Sequence, residues 1–262
     1  MTTRPTVLIT GASTGIGAVY AERFAQRGHD LVLVARDQAR LQALATRLHS
    51  EHGVAVDVLP ADLTQLGDLA AVETRLRDDA SIGILINNAG AAQSGSFIEQ
   101  STDSVAQLVA LNTTALVRLA SAIAPRLAKA GNGAIVNIGS VVGLAPEYGM
   151  SVYGATKAFV LFLSQGLGLE LTPLGVYVQA VLPAATRTEI WDRAGYDINA
   201  INEIMEVGDL VDAALLGFDR REPVTIPPLQ EGERWDELQA ARQGLLSQIK
   251  QSAVAPRYLA QA

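Results

Sequence analysis

The start of the chain combines a strand pattern, a glycine-rich turn and a helix pattern in immediate succession. Residues 6–10 are apolar and β-branched, which predicts a buried strand, and Gly11-Ala12-Ser13-Thr14-Gly15-Ile16-Gly17 follows directly. A helix is predicted over 15–27. Glycines let backbone N–H groups approach a pyrophosphate, and a helix N-terminus favours its negative charge. An isolated glycine-rich loop would indicate only a tight turn, but this context favours a dinucleotide-binding unit.

Strand and helix patterns alternate along the rest of the chain. Continuous apolar runs, such as those at 31–35 and 82–86, are typical of parallel strands that are covered on both faces. No linker rich in Pro, Gly or Ser separates two halves of the 262 residues. We therefore predict a single domain over 1–262 with a Rossmann-type, doubly wound α/β fold, in which helices cover both faces of a parallel sheet of about seven strands.

The patterns also give boundaries for each element. The predicted strands are 6–10, 31–35, 54–59, 82–86, 133–139, 175–182 and 223–226. The predicted helices are 15–27, 38–52, 65–79, 101–129, 151–171, 188–206, 208–219 and 233–250. In such folds ligands bind beyond the carboxyl ends of the strands, so residues in the loops that follow strands are the candidates for a site.

Tyr153 and Lys157 lie four residues apart in a predicted helix and therefore share one face of it. A free Tyr has a pKa of about 10 and is a poor acid at neutral pH. A neighbouring Lys cation would stabilise the phenolate and lower that pKa. This pair also arises by chance in many helices, so it gains meaning only together with the dinucleotide-binding unit.

Several short motifs make the chain similar to a known family. Thr10-Gly11-x-x-x-Gly15-Ile16-Gly17, Asn87-Asn88-Ala89-Gly90, Ser140 and Tyr153-x-x-x-Lys157 occur in the order in which the short-chain dehydrogenase/reductase superfamily carries them. Between about residues 6 and 190 the chain resembles the compact, single-domain members of that superfamily. The resemblance implies an NADP(H)-dependent enzyme that interconverts a carbonyl and an alcohol by hydride transfer.

The resemblance also assigns catalytic roles. Tyr153 would be the general acid or base, and Ser140 would orient the substrate oxygen and stabilise its developing charge. Lys157 would lower the pKa of the tyrosine and hold the nicotinamide ribose. Asn112, an unusual residue for the middle of a predicted helix, would hold through its backbone carbonyl a water that links the lysine to solvent.

The cofactor contacts implied by the family follow the strands. They are Gly11, Ser13, Thr14, Gly15, Ile16, Gly17, Arg36, Asp62, Leu63, Asn88, Ala89, Gly90, Tyr153, Lys157, Pro183, Thr186 and Thr188. Asn87 is expected to brace the sheet instead. Asp62 is expected to contact the adenine, cap the helix that begins near Gln65, or do both. Ala184 stands where the family usually has glycine, which predicts local strain if that glycine has a positive φ.

The end of the second strand bears on cofactor choice. NAD-preferring folds place a carboxylate there for the ribose hydroxyls, whereas an arginine accommodates the 2′-phosphate of NADP. Ala35 occupies the acidic position and Arg36 follows it. This order resembles NADP-preferring members, with NAD(H) less favoured. Asp37 could either cap the helix 38–52 or contribute to a ribose contact.

Two segments near the C-terminus extend the candidate site. Residues 187–207 resemble the family's mobile substrate lid and carry an apolar lining. Residues 231–250 place apolar side chains at roughly helical spacing. That helix is expected to pack on its own domain or on a partner, and the alternative is that it closes the substrate pocket of a neighbouring subunit.

Composition excludes several other classes of function. A net charge of −7 and a pI near 5.0 argue against a nucleic-acid-binding protein. The chain has no Cys, no His, Asp or Glu group with metal-ligand spacing and no apolar leader at its N-terminus. The apolar stretch 158–171 contains Ser164, Gln165 and Glu170, so no membrane span is expected. We therefore expect a cytoplasmic protein without a metal.

The predicted helix 151–171 is apolar on all sides, and one sheet can cover only one of its faces. Together with the resemblance, this predicts a homodimer or homotetramer with helices 101–129 and 151–171 at the main interface. The expected partner of the site is a small carbonyl or alcohol substrate. A 3-oxoacyl carrier-protein reductase is an alternative, and a non-catalytic NADP-binding regulator is an alternative from another class.

Overall fold

The computed structural model describes residues 4–93, 95–195, 197 and 202–259. The chain divides into two compact units, Met1–Pro227 and Pro228–Ala262. The first unit carries every motif of the candidate site. The single domain expected over 1–262 remains a prediction.

The first unit is built on a seven-stranded sheet in which every neighbouring pair is parallel. The strand order β3-β2-β1-β4-β5-β6-β7 reverses direction between β1 and β4, which creates the crevice where ligands of this fold bind. The strands are β1 Thr6–Thr10, β2 Leu31–Ala35, β3 Val56–Pro60, β4 Ile82–Asn87, β5 Gly133–Ile138, β6 Val176–Val181 and β7 Val224–Thr225. The predicted fold class is confirmed.

The helices connect these strands, and most of them match the sequence prediction within a few residues. In the first unit they are α1 Gly15–Gln26, α2 Gln38–His52, α3 Leu66–Asp78, α4 Thr102–Val109, α5 Leu116–Ala130, α6 Ser151–Leu171, α7 Ile190–Arg193 and α8 Val207–Asp219. A π-helical segment, Ala110–Ala115, joins α4 to α5, so the helix predicted over 101–129 is one continuous run with a wider turn inside it.

Among the described residues, the helix predicted over 188–206 ends at Arg193. Gly195 has φ +77° and Glu203 has φ +59°, and both values are incompatible with a right-handed helix. Met205 instead pairs with Thr186 in a parallel bridge. Residues 196 and 198–201 of the predicted lid lie outside the described residues.

Two apolar cores cover the two faces of the sheet. Alternate residues of each strand point to opposite faces, so Val7 and Ile9 belong to one core while Leu8 belongs to the other. Phe24 of α1 packs in the first core and Ile123 of α5 in the second. Burying each large side chain contributes about 1.5–3 kcal/mol, which fixes the strands whose carboxyl ends form the site.

Among the described residues one helical run, Thr102–Ala130, is long and apolar enough to span a membrane by length and composition alone. This run differs from the stretch 158–171, which the sequence analysis examined as a possible membrane span. Half of its most apolar window is buried in the protein, and Leu119, Ile123 and Leu127 belong to the second core. A core helix meets the same criterion.

The second unit contains helix α9, Glu233–Ile249, close to the predicted 233–250. None of its residues is buried, and Leu238, Leu245 and Ile249 are exposed. The proposals that this helix packs on its own domain, on a partner or over a neighbour's substrate pocket remain predictions.

Candidate active site

The glycine-rich loop after β1 has a shape that only glycine permits. Gly11 and Gly15 have φ +65° and +55°, in the left-handed region. A Cβ at Gly17 would overlap the carbonyl oxygen of Gly11. The loop therefore lies directly against the start of α1, where backbone N–H groups and the helix dipole favour an anion. These residues fit the pyrophosphate of a dinucleotide.

Asn88 fixes this loop to the end of β4. Its Nδ2 donates to the carbonyl oxygens of Thr10 and Gly11 at 2.8 and 3.2 Å. The backbone N–H groups of Asn88 and Ala89 both donate to the Thr10 hydroxyl at 3.0 Å. The side chain of Asn88 thus supports the loop, while that of Asn87 donates inside the sheet to Asn137 Oδ1 at 3.0 Å, as expected for a structural residue.

The loop after β5 brings Ser140 to α6. Ser140 Oγ accepts from the Val142 N–H at 3.2 Å and donates to the carbonyl oxygen of Pro183 at 3.3 Å. The segment packs tightly on α6, because a Cβ at Gly143 would lie 2.6 Å from the backbone nitrogen of Ala158. Gly143 is a positioning residue that the sequence analysis missed, and its only signal was a glycine shortly after the strand.

Burial raises the pKa of Tyr153, and an interaction with the Ser140 side chain opposes the rise without cancelling it. The sequence analysis expected Lys157 to lower that pKa, but burial dominates and the pKa is raised overall. The ammonium of Lys157 lies 5.7 Å from the centroid of the tyrosine ring and donates instead to the Ile138 carbonyl oxygen. Burial lowers the pKa of Lys157 to about 8.

Asn112 lies in the π-helical segment and is buried. Its Oδ1 accepts from the Ala91 N–H at 2.9 Å, and its Nδ2 donates to the Ala91 carbonyl and to the Thr156 hydroxyl at 3.0 and 3.1 Å. Thr156 in turn donates to the Tyr153 carbonyl oxygen at 2.7 Å. π-Helical turns occur frequently at functional sites, and this one connects the loop after β4 to α6.

A groove runs along the carboxyl ends of the strands and has a volume of about 1060 Å³. We call it the strand-end groove; Arg36 lines it beside β2 and Tyr153 lines it at α6. Of the predicted cofactor and catalytic residues, Gly17 and Asn112 are not among those that line it. The predicted residues that do line the groove are Gly11, Ser13, Thr14, Gly15, Ile16, Arg36, Asp62, Leu63, Asn88, Ala89, Gly90, Ser140, Tyr153, Lys157, Pro183, Thr186 and Thr188.

The sequence analysis missed several groove residues. Arg40, Tyr148 and Met150 line the strand-end groove but belong to no motif quoted above. The sequence position of Arg40 could have indicated a functional role. It lies in the first turn of α2, where the helix dipole disfavours a cation. Asp37, the alternative ribose contact, caps α2, since its Oδ1 accepts from the Arg40 N–H at 3.0 Å.

Asp62 does not cap α3, contrary to one of the two expected roles. The capping position is Gln65, and Asp62 Oδ1 accepts from the backbone N–H and hydroxyl of Thr64 at 3.0 and 2.7 Å. Partial burial would raise the pKa of Asp62, but these hydrogen bonds and the nearby Arg36 lower it overall. Asp62 therefore presents a carboxylate at the groove beside Arg36.

Ala184 needs no strained backbone. Among the described residues other than glycine, positive φ values occur only at Glu203 and Arg221. The left-handed strain considered for Ala184 is therefore wrong.

One acidic cluster lies away from the groove. Ligand atoms of Glu22, Glu51 and His52 come within 4.8 Å of one another, a grouping that sequence spacing did not reveal because Glu22 is on α1 and the others are on α2. Arg47 forms ion pairs with both carboxylates, at 2.6 and 2.9 Å, and thereby offsets part of their negative charge.

Comparison with known proteins identifies the family. The model of the short chain dehydrogenase family matches residues 5–198. A short-chain dehydrogenase from Sphingobium yanoikuyae, solved in complex with NADPH, is 71% identical, with 97% of this chain and 100% of that chain covered and a TM-score of 0.97. The bulky-bulky ketone specific alcohol dehydrogenase from Comamonas testosteroni is 65% identical, with coverage of 97% and 98% and a TM-score of 0.92.

More distant curated relatives agree. The very-long-chain 3-oxoacyl-CoA reductase-A of Danio rerio is 33% identical over 187 residues, which are 70% of this chain and 58% of that protein. The chain therefore spans less than two thirds of the length of that relative. The sulfoacetaldehyde reductase of Chromohalobacter salexigens is 39% identical over 192 residues, 70% of this chain and 73% of that protein. From the family match and these identities, the chain belongs to the short chain dehydrogenase family.

Proposed function

We propose that this short-chain dehydrogenase interconverts ketones that carry bulky apolar substituents and the corresponding secondary alcohols. The chain is an NADP(H)-dependent oxidoreductase that acts on carbonyl and CH–OH groups. The observation that carries the proposal is that Ser140 and Tyr153 line the same groove as the glycine-rich loop after β1. An acid and the binding site of a hydride donor would then share one cavity.

The chemistry follows from the protonation states of these residues. The glycine-rich loop after β1 and Arg36 would hold NADPH in the strand-end groove, where it would supply a hydride to the carbonyl carbon. Tyr153, whose raised pKa keeps it protonated at neutral pH, gives its phenolic proton to the carbonyl oxygen. Ser140 turns its hydroxyl to that oxygen and stabilises the charge that develops on it. The resulting phenolate is held by the Lys157 ammonium until it is protonated again, and alcohol oxidation reverses each step.

Burial makes the positive charge of Lys157 unfavourable, so the lysine gains from a neighbouring anion such as the phenolate. With a pKa of about 8 the lysine is mostly protonated at neutral pH, but it lies buried. A phenolate on Tyr153 would stabilise the charge of Lys157, so the two groups would attract each other. Asn112 is proposed to contribute through the water that the family places at its backbone carbonyl, and its side chain holds Ala91 and Thr156 in position.

The apolar lining around Tyr153 supports this substrate class. Val141 and Val142 follow Ser140 along the groove, and Met150 lies just before α6. From the lid side, Trp191 lines the groove, and its Nε1 donates to the Thr186 carbonyl oxygen at 2.7 Å. Such a surface buries apolar substituents on both sides of a carbonyl. The bulky-bulky ketone specificity of the 65% identical relative supports this assignment.

A turnover assay with NADPH tests the substrate class. We expect ketones with two large apolar substituents to have a higher kcat/KM than acetone-sized ketones or polar oxo acids. An acyl thioester that was preferred over all bulky ketones would support the 3-oxoacyl reductase alternative. No turnover of any carbonyl or alcohol, with NADPH binding intact, would support the non-catalytic regulator.

We also propose that the enzyme is a homodimer or homotetramer and is soluble in the cytoplasm. Phe162 and Leu169 of α6 are 77% and 83% exposed, a high cost for large apolar side chains on a free surface. Space is open beside Gly166 and Gly168, where a Cβ would meet nothing within 4 Å. A second copy of α6 could approach closely there, which supports the interface predicted at helices 101–129 and 151–171.

A further inference from the structure

An ion pair joins two parts of the first unit that are 149 residues apart in sequence. Arg40 Nη1 donates to both carboxylate oxygens of Glu189, at 3.0 and 2.9 Å. Arg40 lies in the first turn of α2, and Glu189 directly precedes α7 at the start of the lid. The pair therefore connects the strand β2 side of the strand-end groove with the lid.

Both residues lie in the groove wall. Arg40 and Glu189 line it together with Arg36, whose side chain is the sequence-based candidate for a 2′-phosphate. On the lid side, Thr188 lies against the dinucleotide loop, because a Cβ at Gly15 would come within 3.1 Å of its methyl group. A ligand that reaches from the loop to Arg36 would thus pass close to the ion pair.

Charge explains why Arg40 needs an anion. The dipole of α2 disfavours a cation in its first turn. Asp37 lies 3.4 Å from Arg40 Nε, and Glu189 accepts from Nη1. Within the described part of the chain, Nη2 of Arg40 makes no hydrogen bond. A guanidinium has five donors in a planar fork that matches a phosphate.

A 2′-phosphate would be the stronger partner for this guanidinium. The side chains of Arg40 and Glu189 are 49% and 47% exposed, and an exposed pair of this kind changes an equilibrium by only about two- to fivefold. A phosphate carries more charge and accepts from an arginine with two parallel bonds. Two anions beside one arginine also repel each other, so a bound phosphate would weaken the contact of Glu189 with Arg40.

We propose that the 2′-phosphate of NADPH competes with Glu189 for Arg40, so that Arg40 is a cofactor-specificity residue and Glu189 is a positioning residue that couples cofactor choice to the start of the lid. This inference rests on the NADP(H) assignment above. NADH, which has no 2′-phosphate, leaves the ion pair intact.

The test is a set of dissociation constants for NADPH and NADH. They are measured by titration calorimetry for the wild type, Glu189→Gln, Arg40→Gln and the double variant. We expect Glu189→Gln to tighten NADPH by about two- to fivefold and to leave NADH unchanged. Arg40→Gln should weaken NADPH, by about tenfold, and also leave NADH unchanged. In the double variant the effect of Glu189→Gln should vanish.

A matched control comes from the same helix. Arg47 and Glu51 of α2 form an ion pair at 2.9 Å outside the strand-end groove. Glu51→Gln removes the same charge as Glu189→Gln and should leave the ratio of the two dissociation constants unchanged. Raising the salt concentration should shrink the effect of Glu189→Gln, because an exposed ion pair is screened.

Two results would overturn the proposal. One is a Glu189→Gln variant that changes NADPH and NADH affinity by the same factor, and the other is an effect of Glu189→Gln that persists without Arg40. Failure of the cofactor assignment would look different, because the wild type would then bind NADH as tightly as NADPH. Circular dichroism of each variant confirms that the measured protein is folded.

Discussion

Lys157 donates a hydrogen bond of 2.9 Å from Nζ to the carbonyl oxygen of Ile138, the last residue of β5. The bond anchors α6 to the end of the central sheet and holds the ammonium 5.7 Å from the centroid of the Tyr153 ring. An ammonium has three donors. Lys157 can therefore keep this anchor while another N–H serves a phenolate or a ribose hydroxyl.

Replacing Tyr153 with Phe removes the proton donor and keeps the volume of the ring. We expect turnover to fall by about 10²–10⁴-fold, the usual cost of losing a general acid, with NADPH binding retained. Steady-state kinetics and a cofactor titration measure the two quantities. Tyr148→Phe is the matched control, since Tyr148 also lines the groove and should retain most of the turnover. A Tyr153→Phe variant with near-normal turnover would disprove the assigned role.

Replacing Arg36 with Asp places a carboxylate where NAD-preferring folds have one. We expect weaker NADPH binding, because a charge-assisted phosphate contact is lost, and a shift of kcat/KM toward NADH. Arg220→Asp, outside the groove, makes the same charge change and should leave the preference unaltered. A wild type that already prefers NADH in kcat/KM would contradict the role of Arg36.

The buried Lys157 predicts a pH dependence of stability. Its pKa is lowered from 10.5 to about 8 in the folded protein, so between these pH values the unfolded chain binds more protons than the folded one. The contribution of Lys157 to the free energy of unfolding therefore rises with pH in this window. Below about pH 8 the folded protein carries the full free-energy cost of the buried ammonium. Above that pH the cost falls, by up to about 3 kcal/mol in all.

Urea denaturation of the wild type and Lys157→Met at pH 7, 8 and 9.5 measures this effect. The stability of the wild type relative to the variant should rise by about 2 kcal/mol at most between pH 8 and 9.5. Lys129→Met, on an exposed position of α5, should show the same pH dependence as the wild type. A difference between wild type and Lys157→Met that does not change with pH would count against a lowered pKa.

Replacing Phe162 with Asp tests the proposed subunit interface. This side chain is 77% exposed, and a carboxylate at that position would be buried without a partner if a second α6 covers it. Light scattering should give a multiple of 27.6 kDa for the wild type and a smaller mass for the variant. Leu66→Asp, at a side chain that is 72% exposed on α3, should not change the mass. A wild-type monomer at micromolar concentration would refute the interface.

The architecture was predictable from sequence because its signals are local. The helix boundaries 38–52 and 151–171 agree with the structure, since the local composition of both segments favours a helix and Asp37 caps the first of them. The apolar strands 6–10 and 31–35 agree for the same reason. Most of the predicted site residues line the groove, because the carboxyl ends of parallel strands share one edge of the sheet.

Only the tertiary structure decided features that depend on burial or on distant contacts. The raised pKa of Tyr153 and the lowered pKa of Lys157 come from desolvation by the surrounding fold, which no spacing of two residues encodes. The lid helix ends at Arg193, Gly195 adopts a left-handed backbone, and Met205 pairs with Thr186. The ion pair of Arg40 with Glu189 exists only because the fold brings α2 to the lid. Local patterns in a sequence specify elements, whereas the energies of charges depend on what the folded chain places around them.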